Sequence, residues 1–143
     1  MITREELQRF VDEVFPQARN TGRIESLGPM RARVRRVITE AEARPGGTVS
    51  GPVLMALADY AMWIALLHEI GPVPLAVTTH LSIDFLRKPA LKDVIAEVKL
   101  LKLGKRLAVG DIYLFSDGEP DLIARASATY SIPTAEPAQD PAV

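Results

Sequence analysis

The feature that most constrains the fold is a long apolar segment in the middle of the chain. Residues 52–70, PVLMALADYAMWIALLHEI, predict a helix that is apolar on nearly every side. Pro52 suits the first helical turn, and Gly71-Pro72 ends the helix. Such a helix must be enclosed on several sides, so the rest of the chain has to wrap around it. The carboxylate of Asp59, in the middle of this segment, therefore needs an explanation.

The composition is typical of one globular domain. The chain has 143 residues, of which 48% are apolar and 24% charged, enough for a single buried core. We expect one domain over residues 1–133 and a disordered Pro/Ala-rich tail at 134–143. The charged start, MITREELQRF, shows no secretory signal, and the apolar run around Asp59 is too short to cross a bilayer comfortably. We therefore expect a cytoplasmic protein without a membrane segment.

Charge and cysteine content argue against several kinds of site. The formal net charge is −1, which gives no reason to expect a nucleic-acid partner. The chain has no cysteine, which excludes disulfides, thiolate metal sites and a cysteine nucleophile. His68 and His80 do not lie at a metal-ligand spacing, so no metal is expected.

Shorter elements flank the central helix. A capping-box pattern at Thr3 and Glu6 begins an amphipathic helix that ends at Pro16. Residues 42–52 have the composition of a loop. Alternating segments predict one bent strand or two strands within 23–39, and four further strands at 75–86, 93–103, 105–116 and 121–132. Strands around one buried helix indicate an α+β fold with a mostly antiparallel sheet.

A glycine-rich motif precedes the central helix. Gly47-Thr48-Val49-Ser50-Gly51-Pro52 is followed, after six residues, by Asp59. The segments AVTTHLSIDFLRKPA and LLKLGKRLAVGDIYLFSDG follow in order. Over residues 30–132 the chain thereby resembles the hotdog-fold acyl-CoA thioesterases of the PaaI-like, phenylacetate-degradation type, whose motif is G-x-x-H-G-G, six residues, then Asp. The resemblance implies a curved antiparallel sheet wrapped around a long central helix.

The resemblance also implies roles for individual residues. Asp59 falls on the family's catalytic carboxylate, which is a nucleophile or a general base for the hydrolytic water. Gly51 falls on the glycine whose N–H polarises the thioester carbonyl, and Thr78 falls where relatives carry a hydroxyl that helps to hold the water. Ser50 occupies the position of the motif histidine and completes the predicted catalytic group.

The motif departs from the family pattern at three positions. Ser50 replaces the histidine, Pro52 replaces the second glycine, and Arg44 stands where relatives often have asparagine. Pro52 leaves the Gly51 N–H in place, whereas the histidine and the asparagine are polar neighbours of the reacting carbonyl. On its own residue type, Ser50 could equally cap the helix.

Four basic residues lie in regions that the family uses for the phosphates of coenzyme A: Arg87, Lys88, Lys105 and Arg106. Basic groups at the mouth of a channel suit that task. From residue type alone they could equally be solvated turn charges. Coenzyme A would be part of the substrate, and no separate cofactor is expected.

The spacing of the motif predicts how many copies form a site. Asp59 lies about 12 Å along the helix axis from Gly51, at roughly 1.5 Å per residue. One subunit therefore cannot easily bring both residues to one carbonyl, but two antiparallel copies related by a two-fold axis can. We expect a homodimer with interfacial active sites, or a homotetramer built from two such dimers.

The leading hypothesis is hydrolysis of an acyl-CoA thioester with a medium-chain or aromatic acyl group. A carboxylate on an apolar helix loses solvation, which makes it a stronger base or nucleophile when ionised. The alternative is a non-catalytic acyl-CoA-binding module, a sensor or scaffold, which the missing histidine favours. A hotdog dehydratase or hydratase ranks last, because neither His68 nor His80 lies in a motif that pairs it with an acid. Asp59 could also be a structural acid held by a hydroxyl or an arginine.

Overall fold

A computed structural model describes residues 2–73 and 75–134. The helices are α1 (Arg4–Val14) and α2 (Gly51–Ile70), with short 3₁₀ turns at Pro16–Asn20 and Glu40–Glu42. The strands are β1 (Arg23–Gly28), β2 (Arg31–Arg36), β3 (Ala43–Arg44), β4 (Thr48–Val49), β5 (Val77–Phe85), β6 (Val94–Leu103), β7 (Leu107–Ser116) and β8 (Leu122–Ser131). Six of them form one antiparallel sheet in the order β1-β2-β6-β7-β8-β5. A six-stranded antiparallel sheet around one long helix is the hotdog fold, as the resemblance implied.

The sheet encloses α2, as its all-round apolar character predicted. Its buried residues are Leu54, Leu57, Ala58, Tyr60, Ala61, Met62, Trp63, Ile64, Ala65, Leu66, Leu67 and His68. The helix approaches the sheet closely at Gly110 of β7, where an added Cβ would lie 2.7 Å from the Met62 sulfur. By length and composition alone α2 could cross a membrane. The expectation from the sequence was that the apolar run around Asp59 is too short to do so. Because 67% of its most apolar window is buried in the protein, α2 is better described as a core helix.

The N-terminal helix forms as its sequence predicts. The Thr3 hydroxyl accepts from the Glu6 N–H at 3.2 Å, and the Glu6 carboxylate accepts from the Thr3 N–H at 3.3 Å. Leu7 and Val11 are buried, so α1 packs with one face inward. The chain then turns at Phe15 into the 3₁₀ turn Pro16–Asn20.

The first alternating segment is two strands rather than one bent strand. β1 and β2 pair antiparallel, and their tight turn places Met30 at a positive φ of 59°. Arg33 and Arg35 of β2 form an ion-paired layer with acidic residues of β1 and its surroundings. Arg35 donates to Glu25 at 2.7 Å and to Asp93 at 3.0 Å, and Arg33 donates to Glu25 at 3.0 Å.

The segment before α2 is more regular than its composition predicted. The predicted loop over 42–52 contains a two-stranded ladder, in which Ala43 pairs with Val49 and Arg44 with Thr48. Strands of two residues are too short to produce an alternating pattern in the sequence. At the other end of the chain, the predicted tail at 134–143 lies outside the described residues, except for Thr134.

The position of β5 at one edge of the sheet matters for the site. Among the described residues its neighbour in the sheet is β8 alone, and most of its residues are exposed in a single chain. The ladder has a bulge at its start, because Thr78 pairs with Tyr130 whereas His80 pairs with Thr129. Thr79 is therefore the extra residue, and the bulge lies directly beside Thr78.

Candidate active site

Asp59 and Thr78 lie in direct contact. Asp59 lies on α2, half-buried, and faces the first residues of the edge strand β5. The Thr78 hydroxyl donates to the Asp59 Oδ1 at 2.6 Å. The structure therefore brings together two of the four residues predicted to be catalytic.

A third side chain, which the sequence did not reveal, completes this contact. The Tyr130 hydroxyl of β8 lies 2.8 Å from the Asp59 Oδ1 and 3.1 Å from the Asp59 main-chain oxygen. Tyr130 is only 4% exposed. Burial, and secondly the charge of Asp59, raise the pKa of Tyr130 well above its ordinary value. Tyr130 therefore remains a protonated donor at any pH near neutral.

The two oxygens of the Asp59 carboxylate differ. Both hydroxyls donate to Oδ1. Within residues 2–73 and 75–134, no protein hydrogen bond ends on Oδ2. One oxygen is thus fixed to the sheet, and the other is free to accept a proton from water or to attack a carbonyl.

The same three residues line an apolar cavity of about 670 Å³. Its other walls come from the residue after α1, the middle of α2 and the chain around the start of β5: Phe15, Ala56, Tyr60, Trp63, Leu75 and Val77. Phe15 meets Trp63 edge to face at 5.9 Å between ring centroids. Burial raises the pKa of Tyr60 to about 12, so its hydroxyl also stays neutral. The cavity therefore presents one carboxylate against apolar and aromatic walls.

Ser50 and Gly51 lie at the start of α2, away from the contact between Asp59 and Thr78. Gly51 is the first residue of α2, and an added Cβ there would lie 3.2 Å from the ring of Phe85. Ser50 is the N-cap residue of α2, but its side chain makes no capping hydrogen bond. The alternative prediction that its hydroxyl caps the helix is therefore wrong. Eight residues of helix separate Gly51 from Asp59, about 12 Å along the axis. A single chain does not bring them together.

The four basic residues form two separate pairs, and all four are exposed. Arg87 and Lys88 follow the end of β5, next to the Gly51 end of α2. Lys105 and Arg106 lie in the β6–β7 turn, where the Arg106 carbonyl accepts from Ile132 just beyond β8. Because Leu107 and Val77 both pair with Ser131, this second pair lies at the Thr78 end of β5.

The two histidines are not among the residues that line the cavity beside Asp59. In the part of the chain that the structure describes, no group of three or more histidine, aspartate or glutamate side chains is placed to hold a metal ion. His68 is buried near the end of α2, and His80 is exposed on β5.

Comparisons with known proteins agree with the fold. The family model of the thioesterase superfamily matches residues 46–123, more than half of the chain. The chain belongs to the thioesterase superfamily.

This member of the thioesterase superfamily is similar in fold to solved structures of other proteins. It is 44% identical to a candidate thioesterase from Silicibacter sp. TM1040, with a TM-score of 0.87 and 93% of each chain covered. A mutant form of the phenylacetic acid degradation protein PaaI from Thermus thermophilus is 25% identical, with a TM-score of 0.69, covering 82% of this chain and 98% of that one.

Curated relatives of this thioesterase-superfamily chain carry esterase names. A candidate esterase from Pseudomonas aeruginosa is 31% identical over 127 residues, covering 82% of this chain and 93% of the relative. A second, from Saccharolobus solfataricus, is 32% identical over 101 residues, covering 71% of this chain and 66% of the relative. These relatives support a thioesterase role.

Proposed function

We propose that this protein hydrolyses an acyl-CoA thioester whose acyl group is of medium length or aromatic. The observation that carries the proposal is the Asp59 carboxylate, held by two hydroxyls on Oδ1 and open on Oδ2, in the wall of an apolar cavity. A cavity of about 670 Å³ is large enough for such an acyl group.

The reaction follows from this arrangement. Asp59 accepts a proton from water through Oδ2, and the hydroxide adds to the thioester carbonyl carbon. The N–H of Gly51, at the positive end of the α2 dipole, stabilises the oxyanion. The tetrahedral intermediate then collapses, the C–S bond breaks, and the thiolate of coenzyme A takes up the proton. The products are the free acid and coenzyme A.

A homodimer paired through β5 would complete the site. In one chain Gly51 lies beside Phe85 at the end of β5, and Asp59 contacts Thr78 near its beginning. α2 and β5 therefore run in opposite directions. If two copies of this exposed edge strand pair antiparallel, the Phe85 end of one meets the Thr78 end of the other. The Gly51 N–H of one copy then approaches the Asp59 of its partner.

The same pairing would join the basic residues. Arg87 and Lys88 of one copy come to the end of the sheet at which Lys105 and Arg106 of the other lie. Four cations around one opening suit the phosphates of coenzyme A. Neither copy alone gathers them.

A non-catalytic acyl-CoA-binding module remains the second candidate. The observation that favours it is Ser50, which stands at the motif-histidine position without an imidazole. This alternative predicts saturable binding of acyl-CoA without release of free thiol.

The test is thiol release from a panel of acyl-CoA thioesters, from short-chain to long-chain and aryl, with Asp59→Asn beside the native protein. The asparagine side-chain oxygen can still accept from Thr78 and Tyr130, so the fold should be kept. We expect turnover to fall by about 10²–10⁴, the usual contribution of a positioned general base. Asp121→Asn is the matched control, because Asp121 is exposed in the β7–β8 turn. Binding without turnover in the native protein would favour the second candidate.

A further inference from the structure

Tyr130 is held between two neighbouring strands of the sheet. It lies on β8 and is paired on one side with Ala108 of β7 and on the other with Thr78 of β5. Strands on both sides fix its backbone, and 4% exposure fixes its ring. A hydroxyl held in this way keeps its position, whereas the exposed Thr78 hydroxyl on the edge strand is open to solvent.

The hydroxyl contacts two groups of Asp59 and also has the Thr78 hydroxyl as a neighbour. It lies 2.8 Å from the Asp59 Oδ1 and 3.1 Å from the Asp59 main-chain oxygen. A phenol has one proton to donate, and the shorter, charge-assisted contact to the carboxylate is the stronger. Tyr130 therefore acts mainly on the side chain of Asp59.

We propose that Tyr130 is a positioning residue for Asp59, which fixes Oδ1 to the sheet and so makes Oδ2 the reactive oxygen. This inference rests on the proposed thioesterase function. Tyr130 does not touch the reacting carbonyl; it acts through Asp59.

The variant Tyr130→Phe removes the hydroxyl and keeps the ring. We expect kcat to fall by about 10- to 100-fold, the usual effect of one charge-assisted hydrogen bond, with KM nearly unchanged. The acid limb of the pH–rate profile should also move up, because the ionised carboxylate has lost a donor. A tyrosine that served only to hold the fold would lower the melting temperature without moving this limb.

Tyr113→Phe is the matched control. The Tyr113 hydroxyl also lies near an aspartate, 3.4 Å from Asp111, but on an exposed part of β7 away from the cavity. This variant should leave kcat, KM and the pH profile unchanged.

The outcomes separate the two proposals. If the native protein releases no thiol from any thioester of the panel, both proposals are overturned. If Asp59→Asn is inactive while Tyr130→Phe keeps the native kcat and acid limb, the positioning role alone is overturned. A fall in kcat together with the shift in the acid limb supports it.

A second measurement covers the case in which Tyr130→Phe does not fold. The chain has three tyrosines, so Tyr130 is the remaining one in a Tyr60→Phe/Tyr113→Phe variant. Incorporating 3-fluorotyrosine there makes the hydroxyl a stronger donor with little change in ring size. We expect the acid limb to move to lower pH than in the same variant with ordinary tyrosine. An unmoved limb would overturn the positioning role.

Discussion

Thr78 and Tyr130 are cross-strand partners on β5 and β8, and their hydroxyls donate to the same carboxylate oxygen of Asp59. Because both hydroxyls donate to one charged oxygen, the loss of one hydrogen bond is partly compensated by the other. The pair therefore connects the geometry of the sheet edge directly to the orientation of a side chain on the central helix.

Because Thr78 and Tyr130 donate to the same oxygen, we expect the effects of substitutions at these two positions on kcat to be coupled. Thr78→Val and Tyr130→Phe should each lower kcat, and the double variant should lose an amount that differs from the product of the two single losses. A coupling of about 0.5–3 kcal/mol is usual for groups in one hydrogen-bond network. The measurement is a double-mutant cycle on kcat. Thr78→Ser keeps the hydroxyl and should retain most of the activity, whereas independent losses in the cycle would show that the two donors do not share Asp59.

Mixing two inactive variants tests whether each site uses two chains. Asp59→Asn removes the carboxylate, and Gly51→Pro removes the N–H at the start of α2. If each site takes its acid from one copy and its glycine from the other, unfolding and refolding the two variants together restores one intact site in half of the dimers. We expect about a quarter of native activity. Each variant refolded alone serves as the control, and a mixture as inactive as its components would exclude the shared site.

Restoring the family motif should raise turnover. Ser50 is half-buried at the N-cap of α2 and makes no capping hydrogen bond there, so a histidine replaces no existing capping contact. Arg44, on β3, is exposed. In the Ser50→His/Arg44→Asn variant we expect faster thiol release, because two polar groups return beside the carbonyl. The measurement is the steady-state rate of thiol release from a thioester that the native protein accepts. A folded variant without any gain would mean that other residues already fill these roles.

The ion-paired layer on β2 predicts a pH-dependent stability. Hydrogen bonds from Arg35, and then from Arg33, lower the pKa of Glu25 below its ordinary value of 4.5. The folded state thus favours the ionised carboxylate, and its stabilising contribution is present above the unfolded-state pKa. That contribution is lost as the pH falls through the lower pKa of the folded state.

Glu25→Gln should therefore lower the free energy of unfolding by about 1 kcal/mol at pH 7. The difference from the native protein should shrink as the pH is lowered below 4.5. Denaturant unfolding at a series of pH values measures it. The control is Glu5→Gln, whose partner Arg4 is exposed. If the difference in the free energy of unfolding stayed constant down to acid pH, the ionised Glu25 carboxylate would not be its source.

The parts of the fold that depend on local pattern were predictable from the sequence. The apolar segment predicted α2, and alternation predicted the last four strands of the main sheet to within a few residues, while leaving one bent strand or two open for the segment that forms β1 and β2. Asp59 and Thr78 were identified through a motif and a strand that both lie in the matched segment. Their catalytic roles stay predictions, as do those of Ser50 and Gly51.

Long-range relationships could not be predicted in this way. Tyr130 lies 71 residues from Asp59, and only the register of β5 on β8 brings it next to Thr78. Phe15 lies after α1, and nothing local indicates that it packs against Trp63. Which of several tyrosines or phenylalanines reaches a site depends on how the whole sheet closes around the helix.

The edge-to-face contact of Phe15 with Trp63 has a consequence for how proteins of this kind can diverge. Phe15 lies before residue 46 and Tyr130 after residue 123, so both fall outside the segment that the family model matches. Part of the cavity wall and the second donor to Asp59 are thus supplied by the two flanks of the chain. Substitutions in these flanks can change which acyl group fits, or how strongly Asp59 acts, while the matched segment stays the same. Two such proteins could share that segment residue for residue and still differ in selectivity.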